Sequence, residues 1–380
     1  MELKEYRFDE VTINFDKKRV PLSGAQREKR QGNFRYYGAQ GVIDHIDDFI
    51  FDGTYLLIAE DGENLKSKKQ NIAQVVEGQF WVNNHAHIVQ GNELCNTRYL
   101  CYLLNSMDLS GYVTGSAQPK LSQANLNAVT LFLPSITVQE RIVECLYLFD
   151  KKIAVNQKIN DNLEQQARAY FQELFVDNSD SAWTLGTVSD LGAVVGGSTP
   201  SKSKPEYYTE DGIAWITPKD LSINKAKFIS HGENDITELG LKNSSASIMP
   251  EGTVLFSSRA PIGYIAIASG EVTTNQGFKS VVPKPEIGTA YVYYFLKYNL
   301  PVIEGMASGS TFKEVSGSTM KNVPAVIPDT ETLACFNDFC THIFAQQRIL
   351  EEQNQSLAAL RDSLLPKLMS GEIDVSDIQL

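Results

Sequence analysis

The feature that most constrains this chain is an internal repeat with a constant offset of 194 residues. Gly115-Ser116 is matched by Gly309-Ser310, and each pair is followed by a polar stretch and a short apolar run. These runs, 129–134 and 323–328, both end at a proline. The landmarks keep one register over about sixty residues without a gap, which indicates a duplication. The chain should therefore fold as two copies of one arrangement.

A long helical pattern with coiled-coil spacing follows each proline. Residues recur at alternating intervals of four and three, as in an a/d seam, and the second seam has the more polar members. The first seam consists of Ile142, Leu146, Phe149, Ile153, Asn156, Asn160, Leu163, Ala167, Tyr170 and Leu174, and the second of Phe336, Cys340, Ile343, Gln347, Leu350, Asn354, Leu357, Arg361, Leu364 and Leu368. Matched seams in both halves favour mutual pairing over burial of each helix against its own domain.

We predict that these helices, roughly Val138 to Phe175 and Leu333 to Met369, pair antiparallel. Two repeats related by an approximate two-fold axis would bring such helices together in opposite directions. Asn160 and Asn354 occupy equivalent seam positions, where a polar residue fixes register and partner choice at some cost in stability. At 1.5 Å per residue, each helix would be ~50–55 Å long.

The segments before the helices show a different residue pattern, with many short runs of β-forming residues. A length of 380 residues also favours two domains, because single cores stop growing near ~250–300 residues. The predicted fold class is α+β, with two globular domains joined by two long helices in an antiparallel coiled coil and a pseudo-two-fold internal repeat. The predicted boundaries are 1–135 for the first domain, 136–176 for the first helix, 182–329 for the second domain and 330–372 for the second helix.

The composition excludes several classes of protein. Hydrophobic residues make up 42% of the chain, too many for a disordered protein, and no run of about 18 apolar residues could cross a membrane. The N-terminus lacks the layout of a secretion signal, so we expect a cytoplasmic protein. Thirty-four basic residues against 46 acidic ones give a net charge of −12, which by itself argues against nucleic acid.

The sequence contains no recognisable set of catalytic residues. The run 196–202 lacks the order of a phosphate-binding loop, and the chain has neither a glycine-rich loop for a methyl donor nor an N/D-P-P-aromatic tetrapeptide. Cys335, Cys340 and His342 have a hint of ligand spacing, but they lie inside a helical pattern, so we assign no metal. The remaining interpretation is a binding protein.

Local charge points to what is bound. Between Phe15 and Arg35, seven basic residues stand against two acidic ones, a balance of +5 in 21 residues. Basic side chains suit phosphates, while nearby hydroxyl and amide groups suit base edges; a solvated charged loop is the alternative. The residues that we predict to contact nucleic acid here are Lys17, Arg19, Ser23, Gln26, Arg27 and Arg30.

The second half repeats this mixture of basic, hydroxyl and aromatic residues at the same place in its domain. Two matching surfaces favour a bipartite nucleic-acid reader. The predicted contacts are Thr199, Ser201, Lys202, Lys204, Thr217 and Lys219. A further candidate loop contains Ser257, Ser258 and Arg259. Its first-half counterpart is 60–62, where an acid could accept from a cytosine amino group or simply form a turn, and we favour the turn.

These residues resemble a known family, the specificity subunits of type I restriction-modification systems. The second half is similar to a target recognition domain of that family, the first half to another variant of it, and the closing segment to its C-terminal helix. The segments that carry the resemblance are 183–188, 196–202, Tyr207-Tyr208, 212–221, 275–278 and 360–372, with 36–43, 52–58 and 134–141 in the first half.

The resemblance implies two target recognition domains, each reading one part of a split site in double-stranded DNA. It implies no catalytic activity and no cofactor in this chain. Two methyltransferase subunits would dock on the helices and supply S-adenosylmethionine chemistry with base flipping, and restriction/translocase subunits would join for cleavage. Helices of ~50–55 Å correspond to about one to one and a half turns of DNA, hence several unread base pairs.

Two alternatives remain at this point. Within DNA biology, the chain could be the specificity subunit of a related methyltransferase-endonuclease system that cleaves outside its site. From another class, the coiled coil could belong to an adaptor with two protein-binding heads and no DNA. A stand-alone methyltransferase is disfavoured by the missing methyl-donor loop.

Overall fold

The computed structural model describes residues 2–67, 70–115, 118–309 and 313–375. Ser116 and Ser310, two landmarks of the repeat, lie outside these ranges. The chain forms two compact units, of which the first is built from two separate stretches of sequence and the second from one continuous stretch. Unit 1 is Met1–Ile153 with Ser356–Leu380, and unit 2 is Ala154–Gln355.

Unit 1 contains the first globular domain, an α+β arrangement. Its strands are β1 (Lys4–Arg7), β2 (Thr12–Asn14), β3 (Gln31–Gly38), β4 (Gly41–Ile46), β5 (Phe51–Ala59), β6 (Ala73–Val82), β7 (Ala86–Gly91) and β8 (Thr130–Leu133). Its helices are α1 (Gly24–Glu28), α2 (Asn64–Ser67), α3 (Thr97–Ser106), α4 (Gln123–Asn127) and the first part of α5 (Ile136–Gln172). One sheet has the order β2-β7-β5-β6-β3-β4, and β1 pairs antiparallel with β8.

The core of unit 1 lies between this sheet and its helices. Leu56 and Ile58 of β5 are fully buried, as are Leu100 and Leu104 of α3, and all belong to one apolar cluster. Helix α3 begins where the Asn96 side chain accepts hydrogen bonds from two backbone N–H groups of the first turn. Such a cap satisfies N–H donors that the start of a helix leaves unpaired, and it fixes the residue at which α3 begins.

Unit 2 contains the second globular domain. Its strands are β9 (Thr184–Thr187), β10 (Gly192–Gly196), β11 (Tyr208–Thr209), β12 (Ile213–Ile216), β13 (Phe228–Ile229), β14 (Asn234–Ile236), β15 (Val254–Ser258), β16 (Ile262–Ala268), β17 (Thr273–Thr274), β18 (Lys279–Pro283) and β19 (Pro324–Ile327). Its helices are α6 (Val188–Leu191), α7 (Pro218–Ile223), α8 (Glu238–Lys242), α9 (Thr289–Tyr298), α10 (Leu300–Gly305), α11 (Gly317–Lys321) and most of α12 (Thr330–Ser370).

The strands of unit 2 form two sheets and a ribbon. The sheet orders are β10-β18-β15-β16-β13 and β11-β14-β12-β17, and β9 pairs antiparallel with β19. Aromatic residues of α9 pack against both long helices, for example Tyr291 against Phe171 of α5 at 5.9 Å and Tyr294 against Phe336 of α12 at 6.0 Å between ring centroids. The domain is therefore joined to the helices by a continuous apolar core.

The two long helices run antiparallel, as predicted. In unit 1, Arg361 of α12 donates to Asp150 of α5 at 2.6 Å. In unit 2, Asn354 meets Asn156 at 2.9 Å, and Phe339 meets Tyr170 at 4.8 Å between ring centroids. Residue numbers rise along α5 as they fall along α12, within each unit. The predicted fold class, α+β with an antiparallel helix pair, is confirmed.

The ends of the helices differ from the prediction by a few residues. Helix α5 begins at Ile136 rather than Val138, and after Gln172 it continues into a π-helical turn, Glu173–Asp177. Helix α12 begins at Thr330 rather than Leu333, because Asp329 Oδ1 accepts from the backbone N–H of Thr332 at 2.8 Å. The apolar seam pattern does not reveal this acidic cap, which lies before the first seam residue.

The repeat is visible in the folded elements. α4 and α11, β8 and β19, and α5 and α12 begin exactly one repeat apart, at an offset of 194. Two isolated bridges, Thr114 with Lys120 and Ser308 with Glu314, keep the same offset. The duplication predicted from sequence landmarks is confirmed.

Candidate nucleic-acid interface

A cleft of about 460 Å³ opens on the surface of the second domain. It lies where five separate segments meet: the loop after β10, the junction of β12 with α7, the start of β14, the loop after β15 and the turn after β17. The residues that line it are Thr199, Lys202, Trp215, Thr217, Pro218, Lys219, Asp220, Glu233, Asn234, Arg259, Ala260, Asn275, Gln276 and Gly277.

One wall of the cleft is built by the start of α7. Thr217 is the N-cap of this helix, and Asp220 accepts from the Thr217 backbone N–H at 2.7 Å and from its hydroxyl at 2.6 Å. Pro218 occupies the first helical turn, where its missing N–H costs nothing. The second oxygen of Asp220 accepts from the backbone N–H of Glu233 at 2.8 Å. The acid is therefore a structural link across the wall.

Two aromatic residues hold the loop after β10, which forms another part of the cleft lining. Trp215 is buried and donates through Nε1 to the carbonyl of Ser198 at 3.0 Å. Tyr208 donates its hydroxyl to the carbonyl of Pro200 at 2.6 Å, and its ring meets Trp215 edge-on at 5.7 Å. These rings hold the loop after β10 in place. They belong to the scaffold rather than to a surface on which bases could stack.

The charges in the cleft are mixed. Lys202 is exposed, and Lys219 pairs with Glu233. The hydrogen bond that Lys219 donates to Glu233 raises the pKa of Lys219 above its ordinary value, so this ammonium stays charged. Arg259 is 3.6 Å from Glu314. Basic groups beside hydroxyl and amide groups can meet both phosphates and base edges.

The structure brings four of the six predicted residues of the second half together in this cleft: Thr199, Lys202, Thr217 and Lys219. Ser201 instead contacts the hydroxyl of Ser203 at 2.9 Å, and Lys204 is 3.6 Å from Glu206. Sequence reasoning did not select Gln276, which bonds Thr199. It also left Arg259 as an unchosen member of a candidate loop, because no sequence signal places that loop beside α7.

The predicted residues of the first half are used differently. Ser23 and Gln26 form a capping box at the start of α1, with the Gln26 side chain accepting from the Ser23 backbone N–H at 2.8 Å. Lys17 is exposed in a turn before β3. Of this group, Lys17 lies most openly in solvent as a charged side chain.

The three predicted arginines of the first half are bound within the domain. Arg19 donates to Glu60 at 3.0 Å and to the carbonyl of Ala86 at 2.8 Å. Arg27 pairs with Asp44 at 2.8 Å and covers the ring of Tyr36, and Arg30 pairs with Asp47 at 2.8 Å and covers the ring of Trp81. Asp44, Asp47 and Glu60 lie 17 or more residues from the arginines that they neutralise, whereas Asp16, 3.4 Å from Arg19, is three residues away. Whether these arginines also contact DNA stays a prediction.

Behind Arg19 lies a buried ionic cluster. His87 is 1% exposed, and its ring nitrogens lie 2.6 Å from Asp16 Oδ2 and 2.8 Å from the carbonyl of Leu121. Asp16 also accepts from the backbone N–H of Ile88 at 2.8 Å. Burial alone would raise the pKa of Asp16, but the hydrogen bond from His87 and these other contacts lower it below its ordinary value. The carboxylate is held ionised beside the imidazole.

Matching hydrogen bonds show which part of the first domain corresponds to the cleft. Asn83 bonds the backbone N–H of His85 at 2.8 Å just as Asn275 bonds that of Gly277. In the same way, Glu60 N–H donates to the His85 carbonyl at 2.9 Å, and Ser258 N–H donates to the Gly277 carbonyl at 2.7 Å. Residue 61 of the first domain therefore takes the place of residue 259 of the second.

That place in the first domain holds an acid and a histidine. Asp61 Oδ2 is 2.7 Å from His85 Nδ1, and the His85 side chain is 52% exposed. Beside them, Glu60 pairs with Lys120 at 3.3 Å. Lys120 corresponds to Glu314 by the repeat offset, so the sign of the charge is reversed at both positions.

The helix seam contains the two asparagines predicted to fix register, together with Asn156, a predicted seam residue to which no such role was assigned. Asn156 is fully buried and donates to Asn354 at 2.9 Å. Asn160 accepts through its backbone carbonyl from Gln347 at 3.2 Å. Asn354 therefore pairs with Asn156 rather than with its sequence equivalent, because antiparallel helices oppose residues whose numbers sum to a constant. A role in fixing register stays a prediction.

The part of the chain that the structure describes contains neither a candidate metal site nor a membrane-spanning helix. Within residues 2–67, 70–115, 118–309 and 313–375, no group of three or more His, Cys, Asp or Glu side chains is placed to hold a metal ion. Over the same part of the chain, no helix is long and apolar enough to span a bilayer. Cys335 is exposed and Cys340 is buried.

The family follows from comparison with known proteins. The family model described as "Type I restriction modification DNA specificity domain" matches residues 2–165 and 180–360. The two matches fall on the two repeats and together span most of the chain. The chain therefore belongs to this family. Its similar relatives carry the name of specificity subunits, the DNA-recognition components of type I restriction-modification systems.

Individual relatives support the assignment over different lengths. The specificity subunit of the type I restriction enzyme MjaIX from Methanocaldococcus jannaschii is 41% identical over 191 residues, which are 48% of this chain and 44% of that relative. The match thus spans less than half the length of that relative. The HindI specificity subunit from Haemophilus influenzae is 24% identical across 85% of this chain and 84% of its own.

A solved structure supports the fold. The type I restriction-modification S subunit from M. genitalium covers 97% of this chain and 96% of its own length, with a TM-score of 0.57 and 15% sequence identity. At this identity the likeness concerns the fold alone. It agrees with two repeated α+β domains and long helices.

Proposed function

We propose that this chain is the DNA-reading subunit of a type I restriction-modification complex, in which each globular domain reads one part of a split site. The observation that carries the proposal is the repeat: two copies of one domain, each continuous with a long helix at the same offset. A duplicated reader contacts two stretches of sequence, whereas a single site would need one copy.

The cleft of the second domain is the proposed contact with the second part of the site. Lys202 and Lys219 would meet phosphates, and Thr199, Thr217 and Gln276 would meet base edges or sugars. In the first domain, Lys17 would meet phosphates, and the exposed rim around Asp61 and His85 would meet base edges or sugars. The net charge of −12 suits a subunit that completes its DNA clamp with partner proteins and binds DNA weakly alone.

The chemistry would come from partners. We infer that the chain has no catalytic residues, that two methyltransferase subunits dock on α5 and α12, and that S-adenosylmethionine binds to those subunits. Restriction/translocase subunits would join for cleavage. Because the substrate would be chromosomal DNA of a cell that modifies it, the cytoplasm is the expected location.

The direct test is to map methylated adenines in the host genome with and without this gene. We expect a two-part methylation motif that disappears with the gene. A complex reassembled from purified chains should methylate the same motif. An unchanged methylation map, with the methyltransferase genes intact, would refute the proposal.

The adaptor alternative makes a different prediction. A reader assembled with methyltransferase should bind duplex DNA with an affinity that falls steeply as salt rises, since each neutralised phosphate adds ~0.9 to the slope of log K against log salt. An adaptor with protein-binding heads would show no DNA binding at any salt concentration tested. A gel-shift titration between low and physiological salt separates the two.

The spacer role of the helices can be tested in the same complex. Deleting facing heptads, one from α5 and one from α12, should shorten the unread gap of the methylation motif, because each removed residue shortens a helix by ~1.5 Å. Deleting a heptad from one helix alone is the control that breaks the pairing. A two-part motif whose gap is unchanged after the double deletion would rule out the spacer role.

A further inference from the structure

We propose that Arg259 of the second domain reads a guanine base, and that the first domain cannot read guanine at the same position because Asp61 stands there. This inference rests on the proposed function and assigns a base to one position of the cleft. It is supported by the availability of the arginine, by the rigidity of its loop and by its counterpart in the first domain.

The guanidinium of Arg259 is available for a ligand. Its side chain is 39% exposed and lines the cleft. Among the described residues its contact is with Glu314 at 3.6 Å, well beyond the ~2.7–2.9 Å of a charge-assisted hydrogen bond. By contrast, Arg19, Arg27 and Arg30 of the first domain are held at 2.8–3.0 Å by internal acceptors. Arg259 therefore keeps N–H donors that these arginines have already committed.

The backbone that carries Arg259 is fixed on several sides. Ser258 is fully buried, donates its N–H to the carbonyl of Gly277 at 2.7 Å, and accepts from the N–H of Val315 at 3.0 Å. The hydroxyl of Ser257 donates to the carbonyl of Pro261 at 2.8 Å and accepts from the N–H of Tyr264 at 2.8 Å. Because this backbone is fixed, the Arg259 side chain is anchored at a defined position, as recognition of a single base requires.

The base follows from the pattern of donors. Guanine offers two acceptors, O6 and N7, on its major-groove edge, and the fork of an arginine matches them with two hydrogen bonds. The carboxylate of Asp61 has no donor to offer and would accept from the amino group of cytosine instead. The reversal of charge between residues 61 and 259 therefore predicts different bases at equivalent positions of the two half-sites.

The experiment uses the complete complex with its methyltransferase subunits and a plasmid library randomised across both half-sites. Methylation by the wild-type complex should require guanine at one position of the half-site read by the second domain. In Arg259→Ala, the preference for that guanine should fall by about 5- to 150-fold, the range of one bidentate base contact. In Arg259→Gln, adenine should replace guanine as the favoured base, because glutamine suits the adenine edge. The first half-site should stay unchanged in both variants.

The control is Lys242→Ala, an exposed lysine of α8 whose partner is Glu238 and which does not line the cleft. It should leave both half-sites as in the wild type. An intact guanine preference in Arg259→Ala would overturn the inference, and so would an equal loss of methylation on all sequences, which indicates a phosphate contact. Both results leave the proposed function standing. A wild-type complex that methylates without any sequence preference would instead refute the proposed function.

Discussion

In the first domain, the loop after β5 carries Glu60 and Asp61 opposite Lys120; in the second, the loop after β15 carries Ser258 and Arg259 opposite Glu314. The backbone hydrogen bonds that hold the two loops are the same. The duplicated scaffold is thus maintained by main-chain bonds, which do not depend on side-chain identity. This leaves the side chains at the loop free to differ, so two copies of one fold can present opposite charge at equivalent positions.

The buried charges of the two units also differ in position. In unit 1, His87 and Asp16 form a buried pair behind Arg19 and beside the loop that carries Glu60. In unit 2, Lys227 is buried and its ammonium contacts Glu164 of α5 at 2.5 Å and Gln347 of α12 at 2.6 Å. One cluster stiffens the loops, and the other ties the second domain to its helices. In the sequence, the members of both clusters look alike, as isolated charged residues.

The largest effect should come from breaking the buried cluster of the first domain. His87→Ala leaves the buried, ionised Asp16 without its closest side-chain hydrogen-bond partner, and leaving a buried charge uncompensated costs about 3–5 kcal/mol. The free energy of unfolding, measured by urea denaturation, should fall by this amount. The matched control is His85→Ala, two residues away and exposed, which should change stability by less than ~0.5 kcal/mol. Equal effects of the two substitutions would contradict a structural role for the cluster.

The cluster of the second domain should show itself through pH. Burial alone would raise the pKa of Glu164, but Lys227 and Lys297 outweigh it and lower the pKa to about 2. A depressed pKa contributes stability that is present above the unfolded value near 4.5 and is lost as pH falls towards 2. The contribution is on the order of 2–3 kcal/mol.

The measurement compares wild type with Glu164→Gln by urea denaturation at several pH values. The wild type should be the more stable protein at pH 7, and its advantage should shrink as pH falls from 5 towards 3. His87→Ala should not alter this trend, because it acts on the other unit. A gap that is independent of pH would show that the charge of Glu164 does not stabilise the fold.

The smallest effect concerns the basic residues at the candidate interface. Lys219→Ala in the second domain should reduce the slope of log K against log salt by about 1 if this lysine meets a phosphate. Arg30→Ala in the first domain should change the slope less, because its guanidinium is already bound to Asp47. It should instead lower stability by up to ~1 kcal/mol, as exposed ion pairs do. DNA titrations of the complex at several salt concentrations measure the slope for each variant. Equal slope changes in the two variants would support the sequence-based prediction that Arg30 contacts DNA.

Only part of the predicted set of DNA contacts lies together in one cleft, for a physical reason. In the second half, Thr199, Lys202, Thr217 and Lys219 lie in one cleft because hydrogen bonds of Ser198 with Trp215 and Thr274 hold the loop after β10 beside the end of β12. In the first half, a run with a net charge of +5 became a set of internal ion pairs, because Asp44, Asp47 and Glu60 fold back onto it. Local charge counts cannot include acids that arrive from distant strands.

The sequence by itself determined the repeat, the two long helices and their antiparallel pairing. Those properties are written in spacing along the chain, where a heptad seam and a constant offset leave few arrangements that bury the apolar residues. Tertiary structure decided which asparagines meet, which arginines remain available and where the cleft lies. These depend on distances between residues far apart in sequence, such as Asn156 with Asn354, and no local pattern encodes such distances.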